Sequence, residues 1–282
     1  MSGYVLAIDQ GTTGTTCLVL SEDGRGLGRA YSEFTQYFPQ PGWVEHDPTE
    51  IWDVTRAVAR EALASAVGAE VRGIGITNQR ETVVLWDRET LEPVHRAIVW
   101  QDRRTADVCR RLRDEGREEA VHKETGLLLD PYFSATKMRW MLDNVDAVAQ
   151  AQEAGRLAFG TVESWLVAKL SGGAHVSDAS NASRTLLLPL GEAGFSPDLC
   201  DLFGVPHEAL EQHLVLGRIL RIAHGRFGDD DPGPHQLSGT ILCVSALVSI
   251  PGGHAEGEEE HTIAVLPALQ QCASTATLYI PR

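Results

Sequence analysis

The sequence predicts an α/β domain in which a mixed sheet is flanked by helices, and three observations carry that prediction. The chain opens with three strand signals joined by short turns, a meander of hairpins. A capped amphipathic helix follows, with apolar residues at the spacing that suits packing on a sheet. Beyond it strand and helix patterns alternate, as they do where helices cover a sheet.

The first three strands are expected at residues 4–9, 15–21 and 27–34, the last two separated by the turn Glu22-Asp23-Gly24. Pro39, Pro41 and Gly42 then break the pattern. In Asp47-Pro48-Thr49-Glu50 the order of residue types marks a helix start, with Asp47 as N-cap, Pro48 at N1 and Glu50 at the capping-box position N3. Ile51, Val54, Val58, Ala62 and Ala66 form its apolar face. Buried strands follow at 71–77, 82–86 and 97–100, then an Arg- and Asp-rich helix at 102–112 stopped near Gly116. Two further helices are expected at 134–142 and 161–170, the second entered from Phe159-Gly160.

The chain of 282 residues is 43% apolar and 22% charged, the balance of a globular domain with a substantial core. A net charge of −15 argues against a basic face for nucleic acid or an anionic membrane, though not against a local basic pocket for ATP. The longest apolar run, 241–250, is too short to span a bilayer. The N-terminus enters a strand with no basic leader, so a cytoplasmic location is expected. Cys17, Cys109, Cys200, Cys243 and Cys272 lack metal-ligand spacing and read as reduced thiols. His46 and His175 read as structural.

The most informative stretch is Asp9-Gln10-Gly11-Thr12-Thr13-Gly14, where a buried strand ends in a carboxylate and a Gly- and Thr-rich turn follows. Asp9 at a strand end suits the water shell of Mg²⁺. Gly11 and Gly14 let backbone N–H groups approach phosphate oxygens, with Thr12 and Thr13 hydroxyls as further donors. The competing reading is an ordinary hairpin turn, since these residue types are common in turns. Arg80 and Glu81 put a donor fork beside a carboxylate just after a buried strand, and Trp100 and Tyr132 offer flat apolar surfaces. Taken singly, these are an ordinary ion pair and two core aromatics.

Ile8-Asp9-Gln10-Gly11-Thr12-Thr13 resembles the phosphate-binding turn of the FGGY carbohydrate kinases, the family of the glycerol kinases. The likeness continues in family order through Pro41-Gly42-Trp43-Val44-Glu45-His46-Asp47-Pro48, Gly75-Ile76-Thr77-Asn78-Gln79-Arg80-Glu81-Thr82, Ala97-Ile98-Val99-Trp100-Gln101, Asp130-Pro131-Tyr132-Phe133-Ser134-Ala135-Thr136-Lys137, Phe159-Gly160-Thr161-Val162 and Asn181-Ala182-Ser183-Arg184-Thr185. The resemblance implies an actin-like, ribonuclease H-like ATPase fold and transfer of the ATP γ-phosphate to glycerol, giving glycerol 3-phosphate. It implies that Arg80, Glu81, Trp100 and Tyr132 hold glycerol, and that Asp9, Gly11, Thr12, Thr13 and Gly14 face ATP and Mg²⁺. Asn78-Gln79-Arg80-Glu81-Thr82 resembles the glycerol enzymes more than the pentulose kinases, a related alternative. A homo-oligomer is a further expectation, since the full-length family forms dimers and tetramers.

Two departures qualify the carry-over, one at Thr16 and one after Pro206. Thr16 stands where the family commonly has an arginine, which is expected to weaken nucleotide binding. Arg103 and Arg104 read as surface charges at a helix start. After Leu202-Phe203-Gly204-Val205-Pro206 no Gly-Asp-Gln follows, the motif that carries the family's catalytic carboxylate. Asp229, Asp230 and Asp231 lie at a loosely suitable distance but read as a solvated turn. The catalytic base is therefore unassigned. Residues 1–207 are expected to form the N-terminal kinase domain, with 208–282 a divergent C-terminal segment lacking lysine and rich in His, Gly and Pro. Out-of-frame sequence from about residue 210 is the favoured account of that segment, a natural tail the other. Either leaves the second family domain absent, a sheet edge uncovered, and a chain weakly active or inactive alone. A non-catalytic polyol-binding fragment is the alternative function. His254 and His261, around the Glu258-Glu259-Glu260 run, read as a solvated acidic loop rather than a metal site.

Overall fold

The structure, a computed structural model, describes residues 4–211 apart from 22, 69 and 70, with the backbone of 213–215, 219–225 and 237–243. Strands β1 (Tyr4–Gln10), β2 (Gly14–Ser21) and β3 (Gly26–Glu33) form the expected meander. A short β4 (Glu45–His46) leads into helix α1 (Pro48–Ser65), then β5 (Val71–Asn78), β6 (Val83–Asp87) and β7 (Ala97–Ile98). Helices α2 (Ala106–Asp114), α3 (Glu118–Thr125), α4 (Ser134–Asn144) and α5 (Asp146–Glu153) come next, followed by β8 (Leu157–Thr161) and α6 (Val162–Ser171). The chain continues through β9 (Val176–Asp178), α7 (Ala179–Ala182), α8 (Pro197–Phe203), β10 (His213–Val215), β11 (Ile219–Gly225) and β12 (Leu237–Cys243).

The principal sheet has the order β11-β12-β5-β1-β2-β3. β1 lies inside it, antiparallel to β2 and parallel to β5, with α1 as the crossover between the two parallel strands. The edge expected to be left bare beyond residue 208 is covered, because β12 pairs parallel with β5, from Thr240 opposite Gly73 to Cys243 opposite Ile76. Ladder hydrogen bonds come from the backbone, so side-chain composition does not bar this pairing.

A second sheet, β4-β7-β6-β8, stands between two cores. β6 and β8 are buried at every residue. Alternate side chains serve opposite faces: Val84, Trp86 and Ala158 pack with Leu6, Ile8 and Trp165 in one core. Val83, Leu85, Leu157 and Phe159 pack with Met138, Met141 and Phe203 in the other. Helix α6 is buried almost all round, as its apolar sequence requires.

Helix α1 starts as its sequence predicts: the Asp47 carboxylate accepts from the Thr49 and Glu50 N–H groups at 2.8 and 3.5 Å, with Pro48 in the first turn. Glu50 does not close a capping box. It accepts from the backbone N–H and hydroxyl of Thr35 at 3.0 and 2.9 Å and so ties the β3 exit to the helix. Ile51, Val58, Ala62 and Ala66 are buried as expected, Trp52, Thr55 and Ala59 widen the face, and Val54 packs at its margin.

Arg104 departs from its reading as a surface charge. Its side chain is 1% exposed and pairs at 2.8 Å with both Glu45 and Asp102, while its guanidinium stacks 3.8 Å from the Trp43 ring centroid and 4.6 Å from that of Trp140. Two carboxylates and two aromatic faces compensate the buried cation. Asp102 also accepts from the Val44 N–H at 2.7 Å, and the turn it stabilises ends β7 at Ile98 and delays α2 to Ala106. Arg103 keeps the expected exposed position and pairs with Asp130.

Gly28 sets the approach of α1 to β3, because a Cβ there would lie 2.1 Å from the Ala62 carbonyl oxygen. Gly28→Ala is expected to destabilise the fold by about 1–3 kcal/mol by forcing helix and strand apart, measured by urea denaturation. An unchanged midpoint would contradict this packing.

Candidate polyol and phosphate site

The turn between β1 and β2 is closed by Gly11 N–H donating to the Gly14 carbonyl at 2.9 Å, with Thr12 and Thr13 at its tip. Gly14 has room for no side chain: a Cβ would meet Ser32 O at 2.5 Å and the Tyr31 ring at 2.8 Å. The turn is therefore drawn against β3, and the Phe34 N–H donates to the Thr13 carbonyl at 3.3 Å. Asp9 is exposed near the end of β1, opposite Thr16 on β2 and Thr77 on β5.

The parallel register of β1 and β5 sets Gln10 opposite Asn78 and delivers residues 79–82 beside this turn, at the carboxyl ends of parallel strands where open α/β sheets form crevices. Gln79 N–H donates to the Gln10 carbonyl at 2.7 Å. Glu81 has φ +60°, an uncommon conformation for a residue with a side chain, and its side chain is only 4% exposed. Ser134 Oγ donates to its carbonyl at 3.2 Å, and Arg184 Nε donates to its carboxylate Oε1 at 2.5 Å. The Arg184 guanidinium lies 5.5 Å from the Tyr132 ring centroid and 4.8 Å from that of Phe133. Trp100 meets Tyr132 edge to face, with ring centroids 5.5 Å apart, and its indole Nε1 donates to Thr12 Oγ1 at 2.9 Å. Thr12, Glu81, Trp100 and Tyr132 thus form one continuous cluster.

Arg80 is half-buried, and its charge acts on Asp178. Burial pushes the Asp178 carboxyl up, opposed by hydrogen bonds from Asn181 and by Arg80. Asn78 Nδ2 donates to Asn181 Oδ1 at 3.0 Å, tying the same region to α7.

The loop carrying Tyr132 is held by Lys137, whose Nζ donates to the carbonyls of Pro131 at 3.3 Å and Tyr132 at 2.5 Å. Burial pulls this ammonium down to about 7 against the charges of Glu81, Asp102, Cys109 and Asp130. Asp130 accepts from the Tyr132 N–H and from Arg103, both at 2.8 Å. Arg184 carries no local sequence signal for its role, whereas Lys137 bonds carbonyls only five and six residues before it, within the same run of sequence. Arg184 is 103 residues from Glu81.

Among the described residues no group of three or more His, Cys, Asp or Glu side chains could hold a metal ion. A single exposed carboxylate, Asp9, suits Mg²⁺ that arrives on nucleotide phosphates and keeps most of its water. Asp229, Asp230, Asp231, His254 and His261 lie outside the described residues. His46 is buried, as its structural reading requires, and His175 is largely so, its Nε2 donating to the Phe159 carbonyl at 2.8 Å and lying 3.8 Å from Glu211 Oε1. No helix among the described residues is long and apolar enough to cross a membrane.

The model of the FGGY family of carbohydrate kinases, N-terminal domain, matches residues 4–219, and the chain belongs to that family. Its fold is accordingly that of the family, an actin-like α/β domain. It is similar to the glycerol kinase of Rhodospirillum rubrum, 52% identical over 86% of this chain and 48% of that protein. The glycerol kinase of Alkalilimnicola ehrlichii is 53% identical over 91% of this chain and 49% of its own length. The chain spans about half the length of the curated relatives it matches. Among solved structures, Plasmodium falciparum glycerol kinase with ADP superposes with a TM-score of 0.78 at 28% identity, over 86% of this chain and 48% of that one. Xylulose kinase from Rhodospirillum rubrum gives 0.73 at 25%, over 85% and 48%.

His46 predicts an acid limit to stability. Burial pulls its imidazole from 6.5 down to about 4, so between those values the unfolded chain binds the additional proton. This contribution, on the order of 3 kcal/mol, is in place above about pH 6.5 and is lost as pH falls toward 4. Urea denaturation between pH 7 and pH 4 is expected to show a shallower fall in His46→Phe than in the parent chain. Parallel curves would contradict it.

Proposed function

We propose that this chain is part of a glycerol kinase, and that the cluster around Glu81 and Trp100 is its polyol site while the turn at residues 11–14 faces the ATP phosphates. The observation that carries this reading is the Trp100–Thr12 hydrogen bond, 2.9 Å long, which joins the aromatic wall to the phosphate turn. A phosphoryl transfer needs its acceptor hydroxyl and γ-phosphate held side by side. Trp100 and Tyr132 would line the glycerol carbons, with the Glu81 carboxylate and Arg80 binding its hydroxyls. Gly11, Thr12, Thr13 and Gly14 would offer N–H and O–H donors to the phosphates. Mg²⁺, bound with the nucleotide and facing Asp9, would neutralise phosphate charge.

In the reaction, a terminal hydroxyl oxygen of glycerol bonds to the γ-phosphorus as the bond to the β–γ bridging oxygen breaks. Glycerol 3-phosphate and ADP result, and the hydroxyl proton passes to a base not assigned among the described residues. The Glu81–Arg184 pair orients the carboxylate as an acceptor. Relatives 48–55% identical are named glycerol kinases, which favours glycerol over a pentulose. The lack of Gly-Asp-Gln after Pro206 favours a second reading, a polyol-binding chain without turnover. The cytoplasm, where ATP is supplied and Cys17, Cys109 and Cys200 would stay reduced, is the compartment this reading implies. A homo-oligomer remains part of the proposal.

Purified full chain with Mg-ATP and glycerol is expected to form glycerol 3-phosphate if the first reading holds. Glu81→Ala is expected to lower kcat/KM at least about 100-fold, the scale of losing a charged hydrogen-bonding group. Glycerol binding without turnover would select the second reading, and a folded chain that does neither would overturn both. Thr16→Arg, which adds a cation on β2 opposite Asp9, is expected to tighten Mg-ADP binding by about tenfold, read by calorimetry.

A further inference from the structure

Beneath the phosphate turn runs a closed hydrogen-bond circuit that the reaction chemistry does not call for. The Trp100 indole donates to Thr12 Oγ1, and the Trp100 backbone N–H donates to Thr82 Oγ1 at 3.2 Å. The Thr82 hydroxyl donates to Gln79 Oε1 at 2.8 Å, and Gln79 Nε2 lies 3.3 Å from His46 Nδ1. On the far side of the imidazole, His46 Nε2 lies 2.7 Å from Gln36 Oε1, and Gln36 Nε2 donates to the Thr12 carbonyl at 2.9 Å. The circuit thus returns to the residue from which it started.

Donor bookkeeping leaves one arrangement. Gln79 uses its oxygen to accept from Thr82, so its amide nitrogen faces His46 Nδ1, which must accept. His46 then carries its proton on Nε2 and donates it to Gln36 Oε1, which turns the Gln36 amide nitrogen toward Thr12. Along this arc every donor points the same way, from the Trp100 backbone N–H through Thr82, Gln79, His46 and Gln36 to the Thr12 carbonyl, while the indole donates straight to Thr12 Oγ1, so Trp100 is donor and Thr12 acceptor at both ends. The Gln79 amide nitrogen also lies 3.2 Å from the Gly11 carbonyl and from Gln10 Oε1, so its two protons are shared among these acceptors and His46 Nδ1. Phe34 packs edge-on against the imidazole, with centroids 4.9 Å apart, and His46, Gln79 and Thr82 are buried. Burial favours the neutral imidazole that the circuit needs.

We propose that Gln36, His46 and Gln79 are positioning residues that couple polyol binding to the placement of the phosphate turn. A polyol settling against Trp100 moves both ends of the circuit, because Trp100 holds the Thr12 side chain directly and its carbonyl indirectly. The turn is thereby fixed for nucleotide only when the acceptor is in place. This rests on the glycerol kinase reading of the same cluster.

The test measures glycerol affinity of the full chain by calorimetry, with and without saturating Mg²⁺ and a non-hydrolysable ATP analogue, alongside nitrogen-15 NMR of the His46 tautomer. The parent chain is expected to bind glycerol about fivefold tighter with nucleotide present. Gln36→Met, at a half-exposed position, and His46→Phe are each expected to bind either ligand alone within about twofold of the parent yet lose the coupling. Folding of both is checked by thermal melts, and Gln36→Met carries the test should His46→Phe fail to fold. Coupling retained in Gln36→Met, no coupling in the parent, or a His46 proton on Nδ1 would overturn the inference while leaving the glycerol reading intact. A folded parent that binds neither ligand would overturn that reading, and the inference with it.

Discussion

The parallel pairing of β1 with β5 is the constraint on which the site depends. It sets Asp9 beside Thr77 and Gln10 beside Asn78, so two turns that leave the same end of the sheet are held as neighbours. One turn carries Gly11 to Gly14, the other Gln79 to Thr82. A one-residue slip in that register would turn every side chain on the slipped strand to the opposite face. Leu6, Ile8, Ile74 and Ile76, buried in one core, make such a slip costly. The geometry of the crevice is thus fixed by hydrophobic burial some distance from it.

On that frame the charged groups are placed in pairs. Glu81 is matched by Arg184, Arg104 by Glu45 and Asp102, and Lys137 is surrounded by carboxylates while its protons go to loop carbonyls. Removing one member of such a pair leaves the other buried and uncompensated, which costs more than the pair itself contributes. The same logic makes the loop at residues 130–133 rigid: Asp130, Lys137 and the Arg184 stack fix the orientation of Tyr132 from three sides.

Elements whose determinants are local were legible in the sequence. The hairpin meander and the Asp47-Pro48 helix start are written in neighbouring residues and stand where they were expected. The glycine-threonine turn was legible for the same reason, and the chain's family membership accounts for the rest of the motif order. Roles that depend on distant partners were not legible. Arg184 lies in Asn181-Ala182-Ser183-Arg184-Thr185, yet nothing near it announces Glu81, and Lys137 ends the run from Asp130 without announcing its burial. Arg104 misled because a charge at a helix start is usually solvated, and only the fold brings Trp43 and Trp140 to it. The sheet edge beyond residue 208 misled for a different reason, since β12 pairs through backbone groups that composition does not reveal.

On the proposed reading, the turn at residues 11–14 and the aromatic wall are a single site joined through Trp100 and Thr12. The most direct measurement follows the Trp100 indole N–H by two-dimensional NMR of the full chain during separate titrations with glycerol and with Mg-ADP. The account predicts saturable shifts of that one signal by both ligands, glycerol acting at the ring and nucleotide through Thr12. Saturable binding of either ligand that leaves the Trp100 indole signal unmoved would contradict it.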